Sequence, residues 1–284
     1  MARTERAQTL TPFSDRTVGD VVSPVILTFN EEANIERTLK ALDWATSVVV
    51  VDSGSLDGTE KIATQFSNVR WFVRPFDTHA QQWEFAIRQT GITTPYVLAL
   101  DADYEVPTPF VDEMRSRFLS GRYRGGSASF EYRIQGRPLL GSVYPAKLVI
   151  FNREEVRVSQ PGHTQEFRVE GDVYRFAARL IHDDRKPVTR FVHSQMEYSR
   201  LEASRLLNGH TNRWQDRLRR RGIMPLVAGV GAYIRSGGPL RGSASLRYAY
   251  ERTLFESLLA LRLLNGRPDN EPQGPAPDRS QNPR

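Results

Sequence analysis

The sequence has no cysteine, which excludes disulfides and thiolate metal sites and leaves oxygen and imidazole as the side-chain ligands open to a metal. It also lacks a G-x-G-x-x-G and a G-x-x-x-x-G-K-S/T motif, so no glycine-rich loop is on hand to cradle phosphate. Long apolar runs are missing too. The least polar late stretch, IMPLVAGVGAYI at residues 223–234, is broken by Pro225, Gly229 and Gly231 and falls far short of the roughly 20 residues that cross a bilayer. The first twenty residues contain no apolar segment of the length a signal peptide needs. Residues 1–22 are therefore expected to be a flexible leader, and the proline-rich, polar residues 267–284 a disordered tail.

What is present is ordinary globular material: 284 residues, 39% hydrophobic and 25% charged, enough for one large domain with an extension. Charge is uneven. Residues 185–267 hold 16 Lys or Arg against 5 Asp or Glu, although the whole chain carries a net charge of only +6. A basic region of this kind serves nucleic acid, an anionic membrane surface or a phosphorylated substrate, and charge alone does not choose among them.

Between Ser23 and Ser120 apolar runs alternate with helical patterns, which predicts an α/β fold with a mostly parallel sheet flanked by helices. The runs PVILTF (24–29), SVVVVD (47–52), VRWFV (69–73) and YVLAL (96–100) are continuous rather than alternating, as strands covered on both faces should be. Helices are expected in EEANIERTLKALDWA, LDGTEKIATQF and HAQQWEFAIRQTG, the last ending at Gly91. Strands follow in 125–134 and 146–151, and 166–176 reads as a hairpin around Glu170, Gly171 and Asp172. From about Pro187 the pattern turns helical. Ala203, Leu207, Trp214 and Leu218 form one expected packing stripe, and Leu246, Tyr250, Leu254, Leu258 and Leu261 a second.

The chemistry gathers where three apolar runs end, in TFNEE, VDSGSLDG and LDADYE. Ligands of open α/β sheets collect at the carboxyl ends of the strands. Without a glycine-rich cradle, a phosphate ligand among these acids must be held through a metal. Two acids one residue apart after a strand, Asp101 and Asp103, suit a hard divalent cation, Mg²⁺ or Mn²⁺, that completes its shell from substrate phosphates and water.

These three clusters in this order resemble the family 2 nucleotide-sugar glycosyltransferases with the GT-A (Rossmann-like) fold. VILTFNEEANIERTLKAL is similar to that family's opening strand and helix, VVVVDSGSLDGTEKIA to its second unit and YVLALDADYEV to its D-x-D segment. The later PLVAGVGAYIRSGGPLRGSASLRYAY resembles, more loosely, the branch containing lipopolysaccharide-core glucosyltransferases. The resemblance implies a GT-A domain over 23–185 and a basic helical extension over 186–266. It also implies direct, inverting displacement at an anomeric carbon. Asp52 would accept from the edge of the base, while Thr28, Asn30 and Glu31 would line the nucleoside pocket. Asp101 would face ribose or the metal shell, and Asp103 would ligate the metal. Arg74 would add a positive contact, and His182 of LIHDDRKP is a candidate metal or diphosphate contact. A carboxylate must also take the proton from the acceptor hydroxyl. The branch carries a His-Glu pair here, whereas this chain reads PGHTQEFRVEG with Gln165 at the acid's place. Glutamine is no base, so the candidates are Glu166, which needs irregular backbone beside Gln165 because neighbours on a strand face opposite ways, and Glu131.

The expected partners are a nucleotide diphosphate sugar donor, a glycan or lipid-linked acceptor of cell-envelope polysaccharide synthesis, and an anionic membrane surface touched from the cytoplasmic side. No nucleic acid is expected. Two other classes stand beside this reading. A sugar-phosphate nucleotidyltransferase would carry a glycine and a basic residue soon after the first strand, and TFNEEANIE has neither. A nucleic-acid-binding module would use the arginines at 219–221, without a recognisable reader motif.

Overall fold

The structure, a computed structural model, describes residues 17–160, 165–209 and 214–265. It divides into two compact units, one built from the chain up to Pro187 together with Ala232–Tyr248, the other from Val188–Gly231 and the chain from Ala249 onward.

The first unit opens with a 3-10 turn at Val18–Asp20, then β1 (Val22–Thr28), α1 (Ile35–Lys40), β2 (Val48–Asp52), α2 (Thr59–Ala63), β3 (Val69–Val73), α3 (His79–Arg88) and β4 (Tyr96–Asp101). A short β5 (Tyr104–Glu105) leads to α4 (Thr108–Glu113), which runs on as a π-helical turn over Met114–Phe118. Then come β6 (Gly125–Ala128), β7 (Phe130–Ile134), β8 (Arg137–Pro138), β9 (Lys147–Asn152), β10 (Arg157–Ser159), β11 (Glu166–Arg168), β12 (Val173–Arg175) and β13 (Leu180–His182). The main sheet has the order β12-β6-β9-β4-β1-β2-β3. Its β4-β1-β2-β3 half is parallel, as the continuous apolar runs predict, and β9 joins it antiparallel.

Of the parallel strands, β1, β2 and β4 are buried on both faces, and their alternate residues serve two cores. Ile26, Val48, Val50, Leu98 and Leu100 join Ile35, Leu39, Phe110 and Phe118 on one side. Val25, Val49, Val51, Val97 and Ala99 join Trp83 and Ile87 on the other. Each fully buried Val, Leu or Ile contributes about 1.5–3 kcal/mol. A second sheet, β5-β13-β7-β8, is built at the carboxyl end of β4. It sets His182 opposite Tyr104 on one side and Tyr132 on the other.

Three expectations are corrected here. The chain enters the core before residue 23, because Val18, Val21 and Val22 are all buried; residues 1–16 of the expected leader lie outside the described residues, as does the tail at 267–284. Residues 166–176 form no hairpin: β11 pairs with β10, and β12 with β6. Aromatic packing pulls the two apart, since Phe167 sits against Trp83 and Phe151 while Phe176 stacks on Phe110 at 4.3 Å and Tyr174 lies near Phe118. The extension is not continuous over 186–266 either, because Ala232, Ala244 and Tyr248 pack with Tyr132, Ile134 and Leu139 in the first unit.

The second unit is helical, with α5 (Val188–Asn208), α6 (Trp214–Arg220), much of α7 (Met224–Arg235) and the larger part of α8 (Ser243–Leu264). Its packing differs from the expected stripes. Trp214, Tyr250 and Leu261 are exposed, as is Leu246 in the first unit, whereas Ala203, Leu206 and Leu259 form the buried cluster. Charge occupies interior positions that the apolar pattern ignores. Arg219 reaches Glu256 at 2.7 Å and Glu202 at 3.1 Å, and Arg205 pairs with Glu202 at 2.7 Å. Two of the region's arginines, Arg205 and Arg219, are therefore spent inside the unit.

Candidate functional site

Parallel pairing brings the carboxyl ends of β1, β2 and β4 side by side, with Thr28 in register with Asp52 and Leu27 with Asp101. All three acidic clusters reach one sheet edge, but they behave differently there.

At the β2 tip Asp52 is buried and already engaged. Its Oδ2 accepts from Gly54 N at 2.8 Å and Ser55 N at 2.7 Å, and its Oδ1 accepts from the Ser55 hydroxyl. Three of the roughly four acceptor positions of a carboxylate are used, and Gly54 supplies the positive φ of 93° that the turn requires. Asn30, itself at φ 54°, latches the β1 loop onto this turn: its N donates to Ser55 Oγ and its Oδ1 accepts from Leu56 N, both at 2.7 Å. Glu31 N donates to Thr59 Oγ1 at 2.7 Å. The Thr28 hydroxyl, buried at the same edge, has no hydrogen-bond partner. Arg74 does not present a free cation, since it forms two bonds to Asp77, at 2.9 and 2.7 Å, and one to Gln82. It orders the β3–α3 loop.

The β4 tip is built the opposite way. Asp103 is buried with Oδ1 lacking a partner, and its Oδ2 lies 3.6 Å from His182 Nε2. Burial, reinforced by Asp184 and Asp101 and opposed by Lys186, pushes the Asp103 carboxyl up to about 7. Glu31 is likewise raised to about 7, by burial first and then by Asp103, against the pull of Lys186. Lys186 Nζ donates to Glu31 at 2.7 Å and lies 3.5 Å from Asp184. Burial works to lower its pKa, but Glu31, Asp103 and Asp184 outweigh this and raise it. A lysine thus sits among acids that cannot all ionise comfortably.

Asp101 turns toward a second lysine. Lys147 Nζ is 3.9 Å from its Oδ2 and donates to the hydroxyls of Tyr104 and Tyr144, which bond each other at 2.6 Å. The surrounding protein disfavours charge on Asp101, yet Lys147 and the Tyr104 hydroxyl outweigh it and hold the carboxyl below its usual range. Burial followed by Asp101 drives Tyr104 well above the usual range. A cleft of about 360 Å³ opens here, lined by Asp101, Tyr104, Lys147, Gln165, Glu166 and Phe167 among others. Neither Asp52 nor Asp103 lines it.

Of the two candidate bases, Glu166 belongs to this cleft. Gln165 precedes β11 rather than lying in it, so both it and Glu166 line the cavity. PGHT at 161–164 lies outside the described residues. Glu166 is paired with Arg168 at 3.0 Å. Glu131 stands in register with Ile181, whereas the next pair, Tyr132 and His182, stacks at 4.5 Å. Alternation puts Glu131 on the other face of the strand, bonded to Arg133 at 2.7 Å.

Of the expected ligand set of Asp101, Asp103 and His182, Asp103 and His182 approach within 3.6 Å. Among the described residues no group of three or more His, Asp or Glu is arranged to hold a metal by itself; His182 is packed among Tyr104, Tyr132 and Tyr144. What fits is the smaller demand of a cation that takes one or two carboxylates and leaves the rest to substrate. Asp103, with its unpartnered buried oxygen, and the half-exposed Asp101 meet it.

The family model for Glycosyl transferase family 2 matches residues 23–176, more than half of the chain. The chain belongs to that family. The matched region contains Asp52, Asp101, Asp103, Lys147 and Glu166. Among curated relatives, the "Lipopolysaccharide core biosynthesis glycosyltransferase LpsC" of Rhizobium meliloti is 33% identical over 86 residues, 29% of this chain and 31% of the relative. Across the curated relatives the matched segments span 25–40% of their length. Among solved structures, S. aureus TarS 1-349 in complex with UDP is 13% identical with a TM-score of 0.44, covering 87% of this chain and 92% of that one. Glucosyl-3-phosphoglycerate synthase from Mycobacterium tuberculosis, solved with Mn²⁺, UDP and glucosyl-3-phosphoglycerate, is 19% identical with a TM-score of 0.42, covering 66% and 80%.

Sequence reasoning missed Lys147, Tyr104, Tyr144 and the contact role of Lys186. Lys147 carries a readable signal, being the one charge in the apolar run AKLVIF. The tyrosines carry none, because their meeting depends on β5 and the loop before β9.

Proposed function

We propose that this chain transfers a sugar from a nucleotide diphosphate donor to a hydroxyl of a glycan or lipid-linked acceptor, with inversion, at the carboxyl end of β4. The observation that carries the reading is the family match over residues 23–176, which spans every acid invoked. The printed name of the R. meliloti relative supports an acceptor of cell-envelope polysaccharide synthesis. Family membership also favours transfer over the nucleotidyltransferase and nucleic-acid readings. Among the described residues no helix is long and apolar enough to cross a membrane; the basic C-terminal third supports work at the cytoplasmic face of an anionic membrane.

In this reading Thr28 and the latched turn of Asn30, Asp52 and Ser55 receive the nucleoside, with the open acceptor position of Asp52 taking an N–H of the base. Asp103 and Asp101 hold Mg²⁺ or Mn²⁺, which when bound supplies Lewis-acid stabilisation of charge on a departing diphosphate. Lys147, fixed by two tyrosine hydroxyls, offers positive charge to the same leaving group without reorganising. Glu166, once freed from Arg168, takes the acceptor proton.

The test is to incubate the purified protein with UDP-, GDP- and dTDP-linked sugars, with and without Mn²⁺, and to follow nucleoside diphosphate release and thermal stability. Metal-dependent stabilisation and turnover by one donor class is the expected result. No response to any nucleotide sugar overturns the reading.

A further inference from the structure

The outer face of α7 serves neither the core nor the cleft. From Ile223 to Ile234 the chain carries no charged side chain, yet the residues that α7 turns outward are its large apolar ones. Leu226 is 74% exposed, Val230 62% and Ile234 71%, with Ile223 and Val227 also exposed. The spacing from 223 to 226, 227, 230 and 234 is that of a single helix face. The ordinary pattern is inverted, because small residues face inward. Gly229 lies so close to α8 that an added Cβ would meet Thr253 Oγ1 at 2.2 Å. The outward stripe is therefore fixed by tight packing of the glycine side.

The chain enters this helix from a basic one. α6 ends at Gly222, at φ 69°, with Ile223 N bonded to Leu218 O and Gly222 N to Arg219 O. This is the double-bonded αL cap that stops a helix and redirects the chain. The arginines at this end are sorted by role. Arg219 is spent on Glu256 and Glu202, and Arg220 on the carbonyls of Leu206 and Gly209. Arg217 and Arg221 are exposed.

We propose that α7 is a lipid-docking helix, seating Leu226, Val227, Val230 and Ile234 among the acyl chains of an anionic bilayer while Arg217 and Arg221 meet the headgroups. Twelve residues at about 1.5 Å each reach about 18 Å, too short for a hydrocarbon core of roughly 30 Å, so the helix lies in the interface plane rather than crossing it. Charge selects this occupant. A second copy would bring the same exposed arginines against each other, and nucleic acid would leave the apolar stripe unpaired. The inference is independent of the glycosyltransferase reading.

The test is co-sedimentation of the full chain with vesicles of phosphatidylcholine alone and of phosphatidylcholine mixed with phosphatidylglycerol, alongside its mass in solution by light scattering. The wild type should partition onto the anionic vesicles at low salt. The double variant Leu226→Glu/Val230→Glu should lose this by about tenfold or more, and Arg217→Gln/Arg221→Gln should weaken it and flatten its salt dependence. Because all four positions are exposed, thermal unfolding of the variants should match the wild type and exclude misfolding as the cause. Three results would overturn the proposal: no partitioning onto either vesicle, equal partitioning by the stripe variant, or a wild-type dimer that the stripe variant dissociates.

Discussion

The tips of β2 and β4 stand at one sheet edge and each presents an aspartate, yet the two carboxylates are in opposite states. Asp52 accepts three hydrogen bonds from its own turn, so its charge is satisfied before any ligand arrives. Asp103 has a buried oxygen with no partner and a pKa driven up to about 7. The first shapes a loop, and in the proposed reading the second receives a cation. A group held in an unfavourable state within a fold is where binding energy is stored, at a cost in stability.

That contrast breaks most visibly if catalysis does not depend on the cleft beside β4. Glu166→Gln should lower kcat by about 10²–10⁴ with little change in donor KM, read by diphosphate release; a normal kcat would remove Glu166 from the role of base. Asp103→Asn should cost about 10²–10³ in kcat/KM and abolish the response to Mn²⁺, while leaving the unliganded protein as stable as the wild type or more so. Lys147→Met should cost about tenfold or more, with Lys147→Arg recovering only part, because a guanidinium does not reproduce a point charge seated between two hydroxyls.

Effects at β2 should fall on stability and on donor KM rather than on kcat. Asp52→Asn replaces an acceptor with a donor facing the Gly54 and Ser55 amides, and should lower the unfolding free energy by about 1–3 kcal/mol. The smallest expected effect is on pH dependence. Raised carboxylate pKa values at Asp103 and Glu31 mean that the folded state holds more protons than the unfolded chain between the ordinary carboxylate range and about 7. Stability of the unliganded protein should therefore decline as pH rises through that window. Glu31→Gln and Asp103→Asn should each flatten the decline, which thermal scans across the window would read.

How far the sequence could be read follows the same division. The parallel half was legible because β1, β2 and β4 are buried on both faces, which forces continuous apolar runs, and because their acidic ends follow directly in the chain. The second sheet was not. Its strands are two to five residues long, and β13 owes its place to pairing with β5 and β7, far away in sequence. Glu131 illustrates the limit, since its surroundings depend on which face of β7 it occupies. The helical unit misled for another reason: Arg219, Glu202 and Glu256 take interior positions while Tyr250 and Leu261 stay outside, so an apolar stripe pointed to the wrong face. Lys147 and Lys186 matter only through what they touch.

The most direct test sets the two aspartates against each other by measuring melting temperature with and without Mn²⁺ and the responsive nucleotide sugar. Asp52→Asn should melt lower than the wild type yet keep a metal-dependent shift, and Asp103→Asn should melt no lower yet lose it. A metal-dependent shift that survives in Asp103→Asn and disappears in Asp52→Asn would contradict the account.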